Sequence, residues 1–139
     1  MNVLILGVML ITNFGNYKVP VDLDAIVKIE SAGKVKAFNR HSQARGIFQI
    51  TPIVLQEWNN FHPEVQFKVE ELFDAKINEE IARWYLGVRI PQMLRHYEKP
   101  ITIENIIICW NAGIKYVLLH DRIPTETTNY IMRYRKLAK

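Results

Sequence analysis

Residues 22–49 read DLDAIVKIESAGKVKAFNRHSQARGIFQ, and this stretch decides how the chain is interpreted. It opens with apolar residues at helical spacing behind a capping residue, Asp22, which predicts a short helix that ends near Glu30. A polar loop follows, and Gly46 allows the backbone to turn before Gln49. The sequence therefore predicts a carboxylic acid at the end of a helix, next to a polar loop.

Glu30 is a candidate proton donor. The negative end of a helix dipole disfavours a carboxylate, and burial disfavours the charged form of any acid, so both effects would raise the pKa of Glu30. Glycosidases use a glutamic acid with a raised pKa to protonate the departing sugar oxygen. Taken alone, the same position also fits a solvated glutamate on the surface.

Several motifs around Glu30 give the sequence a family resemblance. The motifs are Ile29–Ser31, Ala44–Gln49, Trp110–Gly113 and Pro124–Thr127 followed by Tyr130, with a weaker one at Leu72–Leu86. With these motifs the chain, from Val19 to Arg135, resembles the catalytic domain of the soluble lytic transglycosylases, which are lysozyme-like enzymes of bacterial walls. The resemblance implies an all-α fold, a single lysozyme-like helical domain with a substrate cleft.

The resemblance also implies an activity. We expect cleavage of the β-1,4 bond between N-acetylmuramic acid and N-acetylglucosamine in the glycan strands of peptidoglycan. Glu126 matches a position that the family places near the cleft but does not use as nucleophile, so the resemblance implies that Glu30 serves alone, first as acid and then as base, and leaves a 1,6-anhydromuramoyl product. A hydrolytic lysozyme on the same substrate is the alternative. A non-catalytic glycan-binding helical module is a second alternative, using Lys34, Lys36, Arg40 and Arg45.

Further residues are expected to bind substrate beside the catalytic Glu30. They are Ser42, Phe48, Gln49, Trp110, Asn111, Glu126 and Tyr130. Three of these assignments have structural alternatives: Phe48 either stacks on a sugar or fills the core, Asn111 either faces the cleft or caps its helix, and Glu126 suits a helix start. Asn39 and Arg40 compete with Ser42 as the counterpart of the serine that the family places in this loop.

The chain departs from the family at several positions. Phe48 stands where the family usually has methionine, and Ala32 and Gln43 stand where it has glycine. Trp110 replaces a tyrosine, so any hydrogen bond from that hydroxyl must be lost or supplied elsewhere. Tyr130 is the expected substitute.

Composition and charge limit the number of domains, the role of the cysteine and the classes of partner. With 139 residues, of which 49% are hydrophobic, the chain has room for one domain with one core. Its only cysteine, Cys109, lies in an apolar run, so we expect a buried thiol. The net charge of +4 favours an anionic partner such as a bacterial wall polymer. The basic residues form no stripe and there is no metal-finger spacing or phosphate loop, so we expect no nucleic acid, metal or cofactor.

An apolar segment at the start of the chain divides the sequence into two parts. Residues 1–17 form an apolar N-terminal segment, either an atypical export signal or a first buried element, and residues 18–139 form the catalytic domain. The apolar stretch is too short to span a bilayer, and no heptad pattern demands a partner, so we expect a monomer without a stable membrane span. The expected location is the cell envelope, periplasmic or extracellular, with a phage-encoded lysin or virion component as the alternative.

Capping residues predict where further helices begin. These starts are Asp22, Thr51 with Pro52, Asp74, Thr102 and Thr125. The run 75–97 has helical periodicity, and we expect Pro91 to kink or end it, with Gly87 relieving the clash of the proline ring.

Overall fold

The protein is represented by a computed structural model, which describes residues 17–119 and 122–139. The predicted segment 1–17 lies outside this part of the chain except for Tyr17. The described elements are α1 (Leu23–Glu30), α2 (Pro52–Phe61), a 3-10 helix (Val69–Phe73), α3 (Ala75–Trp84), a π-helix (Tyr85–Arg89), α4 (Ile90–His96), α5 (Ile103–Asn111), α6 (Lys115–Leu118) and α7 (Thr125–Leu137). No strand occurs among the described residues, so the predicted all-α class is confirmed.

Most of the predicted helix starts are confirmed by side-chain caps. The side chains of Asp22, Thr51, Asp74 and Thr102 accept hydrogen bonds from backbone N–H groups in the first turns of their helices. Thr125 is an exception, because the helix start was predicted one residue too late. Pro124 is the N-cap of α7 and Thr125 is already its first helical residue, without a side-chain cap.

The long helix continues past Pro91. It runs as α3, continues through the π-helix and goes on as α4, which contains Pro91 near its start. Proline lacks an N–H and its ring crowds the carbonyl four residues earlier, here that of Gly87. The widened π turn lies at this position and accommodates the proline. The alternative that Pro91 ends the helix is therefore wrong.

The helices surround one apolar core. Its fully buried members come from α1 to α5 and include Ile26, Trp58, Ile81, Leu94 and Ile107. Cys109 is buried among them, as expected, and burial raises the pKa of its thiol to about 11. No helix in the described part of the chain has the length and apolar character needed to cross a bilayer.

The last helix is tied to the first, and this contact positions the site. Helix α7 packs against both α1 and α5. At the start of α1, the backbone N–H of Asp22 donates to the hydroxyl of Tyr134 at 2.8 Å. The C-terminal end of α1, which carries Glu30, is consequently held against residues from α5 and α7.

Candidate active site

The loop after Glu30 is held to its helix by Ser31. Ser31 is buried, and its hydroxyl donates to the backbone oxygen of Ile47 at 2.7 Å while accepting the N–H of Gly33 at 3.1 Å. A side-chain bond of this kind supplies polar partners to a loop backbone that has no regular ladder. The loop from 32 to 50 therefore folds back beside the end of α1.

Asn78 anchors the same loop from α3. Its side chain is fully buried, accepts from the backbone N–H of Phe48 at 2.9 Å and donates to the backbone oxygens of Arg45 and Leu72, both at 2.8 Å. Gly46 lies directly against Asn78, where a Cβ atom would overlap the amide and the Leu72 oxygen. The loop needs glycine there both for its positive φ of 83° and for this close approach.

Two donors from distant helices converge on one oxygen of Glu30. The indole Nε1 of Trp110 donates to Oε1 at 3.1 Å, and the hydroxyl of Tyr130 donates to the same oxygen at 2.8 Å. Among the described residues, no group donates to Oε2. The carboxyl group is therefore fixed by one oxygen, and its other oxygen is left for a substrate or for a proton.

Burial raises the pKa of Glu30 above its ordinary value of 4.5. The hydrogen bonds from Tyr130 and Trp110 and the positive charge of Arg133 favour the carboxylate and reduce this rise. Burial and the neighbouring carboxyl group raise the pKa of Tyr130 well above its ordinary value. Tyr130 consequently stays a neutral donor, while Glu30 is the group of this pair that can exchange a proton, with a pKa raised by burial.

Glu30 lies in the wall of a pocket of about 420 Å³. Six of the residues predicted for the site line this pocket: Glu30, Ser42, Gln49, Trp110, Asn111 and Glu126. The lining also contains Asn39, His41 and Thr51, so most of the wall is polar. Residues from four separate segments thus meet around one acid.

Phe48 does not reach this pocket. Its side chain is 1% exposed and lies in the core beneath the loop, so the interpretation as a core residue is correct and the stacking role is wrong. The reason is local: the Asn78 side chain binds the backbone N–H of Phe48 and holds this turn against α3. An aromatic side chain here fills space under the loop.

Ser42 and Asn39 both lie in the pocket, where they brace the loop. The Asn39 Oδ1 accepts the backbone N–H groups of His41 and Ser42 at 2.9 and 3.1 Å. The Ser42 hydroxyl accepts the N–H of Ala44 at 3.3 Å. In the described structure, the hydrogen bonds to Glu30 come from Trp110 and Tyr130 instead of from this loop.

Trp110 provides both an aromatic surface and a hydrogen-bond donor. Its indole N–H donates to Glu30, so the residue that replaces the family's tyrosine brings its own donor. Tyr130 adds the second donor, as expected for a substitute hydroxyl. Tyr130 is 6% exposed and acts on the pocket through Glu30.

Sequence reasoning missed two residues that shape the site. Asn78 and Thr127 are polar and almost fully buried, at 0% and 1% exposure. Asn78 falls on the apolar side of a predicted helix, where a buried amide requires partners, and this was the available signal. Thr127 lies inside a matched motif, but its partner, Asn111, cannot be identified from spacing.

This arrangement defines a class of protein: an all-helical domain with a half-buried carboxylic acid in a polar pocket. Residues 15–122 match the family described as the Transglycosylase SLT domain, which covers more than half of the chain. The chain therefore belongs to this family, a family of lytic transglycosylases whose substrate is peptidoglycan. No curated protein and no solved structure matches the chain significantly. The family match ends before α7, the helix that contributes Tyr130.

Proposed function

We propose that the protein is a peptidoglycan lytic transglycosylase in which Glu30 is the single acid and base. The observation that carries the proposal is the state of Glu30: an acid with a raised pKa, held by two neutral donors on Oε1, in the wall of a polar pocket. A general acid must be protonated near the working pH and must be held within reach of the leaving oxygen. The raised pKa supports the first condition, and the two donors and the position in the pocket wall support the second.

The first step is transfer of the Glu30 proton to the glycosidic oxygen. The bond between that oxygen and the anomeric carbon of N-acetylmuramic acid breaks, and N-acetylglucosamine leaves as the alcohol. We assign the proton to Oε2, because Oε1 already accepts from Trp110 and Tyr130. An oxygen that already accepts two hydrogen bonds is a poor site for the acid proton, so the proton is favoured on the other carboxyl oxygen, Oε2.

The second step returns a proton to Glu30. The carboxylate accepts the proton of the C6 hydroxyl of N-acetylmuramic acid while the O6 atom bonds to the anomeric carbon. The product is a 1,6-anhydromuramoyl end, and Glu30 is again protonated. No water is consumed, so the total mass of the products equals that of the substrate.

A second candidate function is hydrolysis of the same bond. Glu126 lies at the exposed start of α7 and lines the same pocket as Glu30. A second carboxylate is what a hydrolytic glycosidase requires as nucleophile or as base for water. In that case Glu126 would share the reaction, and the products would contain one added water for each bond cleaved.

Mass spectrometry of peptidoglycan digests separates these functions. The wild-type protein, Glu30→Gln and Glu126→Gln are compared on purified sacculi. We expect anhydro products from the wild type and from Glu126→Gln, and at least a roughly 100-fold loss of rate for Glu30→Gln. Products that carry added water would favour the lysozyme, and an active Glu30→Gln variant would remove Glu30 from the mechanism. We further propose that the protein acts at the bacterial cell envelope, or on it from a phage.

A further inference from the structure

A groove between α5 and α7 lies apart from the pocket beside Glu30. It has a volume of about 290 Å³ and shares no lining residue with that pocket. Its apolar lining comes from Ile103 and Ile107 on α5 and from Ile131, Tyr134 and Ala138 on and just after α7. The proposed reaction makes no use of this groove.

Apolar side chains are exposed around the groove. Ile103, in its lining, is 48% exposed, and Met132, which follows Ile131 on α7, is 53% exposed. Ile101, just before α5, and Leu137, at the end of α7, are exposed as well. Exposed apolar side chains that gather in one region mark an interaction site.

The end of α7 is basic. Residues 127–139 contain Arg133, Arg135, Lys136 and Lys139, all exposed, and no aspartate or glutamate. Arg135 pairs with Glu104 at 3.6 Å, but both side chains are more than half exposed, so water screens this pair. Neither Arg133 nor Lys136 has an acidic partner within ion-pair distance among the described residues. This end of the helix therefore carries a net positive charge.

The apolar and the basic side chains share one face. Arg135 and Lys136 follow Met132 at spacings of three and four residues, which places all three on the same side of α7. Arg135 also lines the groove, so this side of the helix is continuous with the apolar lining. We call the surface formed by Ile103, Met132, Arg135 and Lys136 the α5–α7 face.

From this combination we infer that the α5–α7 face docks on the surface of an anionic phospholipid bilayer. The cations of α7 complement the phosphate groups of such lipids, and each Lys or Arg near an anionic bilayer adds to the attraction. Ile103 and Met132 would insert at the boundary between headgroups and acyl chains, where the apolar side chains of interfacial helices lie. A soluble anionic polymer would satisfy the cations but would leave these apolar side chains in water. The inference goes beyond the proposed function, and its test needs no cleavage of glycan.

Vesicle flotation with the full chain tests the inference. The partition coefficient is measured on vesicles of phosphatidylcholine alone and on vesicles with about one-third phosphatidylglycerol, which is anionic. Arg135→Gln combined with Lys136→Gln removes two charges from the face and keeps a high helix propensity. The matched control combines Lys76→Gln with Arg95→Gln, which removes the same charge from exposed positions on α3 and α4. Every variant retains residues 1–16, so any contribution from them is the same throughout.

A second pair of variants tests the apolar part of the face. Met132→Gln removes an apolar side chain and keeps the helix propensity, and Ile53→Gln is the matched control at an exposed apolar residue on α2. Ile103→Gln tests the same point from α5 if circular dichroism shows that Met132→Gln has lost helical structure.

We expect the wild-type protein to bind vesicles that contain phosphatidylglycerol and not those of phosphatidylcholine alone, and we expect salt to weaken the binding. The partition coefficient should fall at least about fivefold in the Arg135→Gln, Lys136→Gln variant and about threefold or more in Met132→Gln. Both controls should stay within about twofold of the wild type, because charges and apolar groups away from the contact are screened or remain in water. Equal binding to both kinds of vesicle, or an equal loss in a variant and its control, would overturn the inference.

Polyphosphate tests the competing occupant, a soluble anionic polymer. Its dissociation constant is measured by calorimetry with the same variants. A loss of vesicle binding in Met132→Gln that does not extend to polyphosphate would support docking on the bilayer. If the charge variant weakens both ligands while Met132→Gln and Ile103→Gln leave vesicle binding unchanged, the face binds soluble polyanions and docking on lipid is rejected.

Discussion

The indole Nε1 of Trp110 lies 3.1 Å from Oε1 of Glu30, which joins two residues that are 80 positions apart in the chain. Tyr130 reaches the same oxygen from α7 at 2.8 Å. Both groups donate without carrying charge, so they hold the carboxyl group while burial keeps its pKa raised. A lysine or arginine in their place would favour the carboxylate much more strongly, which would lower the pKa of Glu30 and reduce the fraction that carries the proton.

Trp110→Phe should shift the pH dependence of activity. The Trp110 hydrogen bond lowers the pKa of Glu30, so its loss raises that pKa further. The acid step needs protonated Glu30, and kcat/KM falls as pH rises through the pKa of the free enzyme. The alkaline limb should therefore move to higher pH, as measured by sacculus turbidity between about pH 4 and 9.

Two further variants make this prediction specific. Tyr130→Phe removes the other donor to Glu30 and should shift the limb in the same direction. Tyr134→Phe is the matched control on the same helix, because its hydroxyl binds the Asp22 backbone instead of Glu30. A shift to lower pH in Trp110→Phe, or an equal shift in Tyr134→Phe, would contradict the role assigned to these donors.

Glu30→Gln should change how stability depends on pH. The folded pKa of Glu30 is raised above 4.5, so its contribution to stability is fully present below about pH 4.5 and is lost as pH rises through the folded pKa. Glutamine does not titrate. The Tm of the variant minus that of the wild type should therefore increase as pH rises above 4.5, in a calorimetric series from acid to neutral pH.

Glu104→Gln provides the comparison for this series. Glu104 lies on the surface in an ion pair with Arg135 at 3.6 Å, far more exposed than Glu30. We expect no comparable increase of the Tm difference for this variant. Parallel Tm curves for Glu30→Gln and the wild type would show that Glu30 carries no burial penalty.

Ala32→Gly should stabilise the protein by about 1 kcal/mol. Ala32 is exposed and has a φ of 53°, a left-handed conformation that costs a residue with a Cβ atom roughly 1–2 kcal/mol, partly offset by the greater chain entropy of glycine. Urea unfolding measures the change. Ala37→Gly, in the same loop but without a positive φ, should destabilise; if both variants lose stability, strain at Ala32 is not the cause.

Asn78→Ala should destabilise the protein by about 3 kcal/mol, because three hydrogen bonds to a buried amide are lost. The backbone N–H of Phe48 and the backbone oxygens of Arg45 and Leu72 lose this partner. Urea unfolding again gives the size of the loss. Asn105→Ala removes one side-chain bond, to Pro100 at the surface, and should cost less than about 1 kcal/mol. Similar losses in the two variants would mean that Asn78 does not anchor the loop.

The glycine positions of the family explain two departures in this chain. Ala32 and Gln43 stand where the resemblance to the family leads us to expect glycine, and both have positive φ, at 53° and 62°. The backbone at both positions follows the left-handed path that glycine adopts readily, and these two residues adopt it at a steric cost. Gln49 also has a positive φ, of 54°, and there the hydrogen bonds of its own amide hold the conformation.

Local chemistry made much of this protein predictable from its sequence. Asp22, Thr51, Asp74 and Thr102 each cap the first turn of their own helix, so neighbouring residues alone decide those starts. The position of Glu30 at the end of α1 follows from the same local signals. The motifs then identified the family without any knowledge of contacts.

Only the tertiary structure decided what surrounds Glu30. Trp110 and Tyr130 reach its carboxyl group because α5 and α7 pack together and α7 also packs against α1. The packing of α5 and α7 also turns Asn111 toward Thr127, while Asn78 on α3 holds the turn that buries Phe48. Periodicity and capping act within one or two helical turns, whereas these contacts join segments up to 100 residues apart, and their geometry depends on how whole helices fill one core.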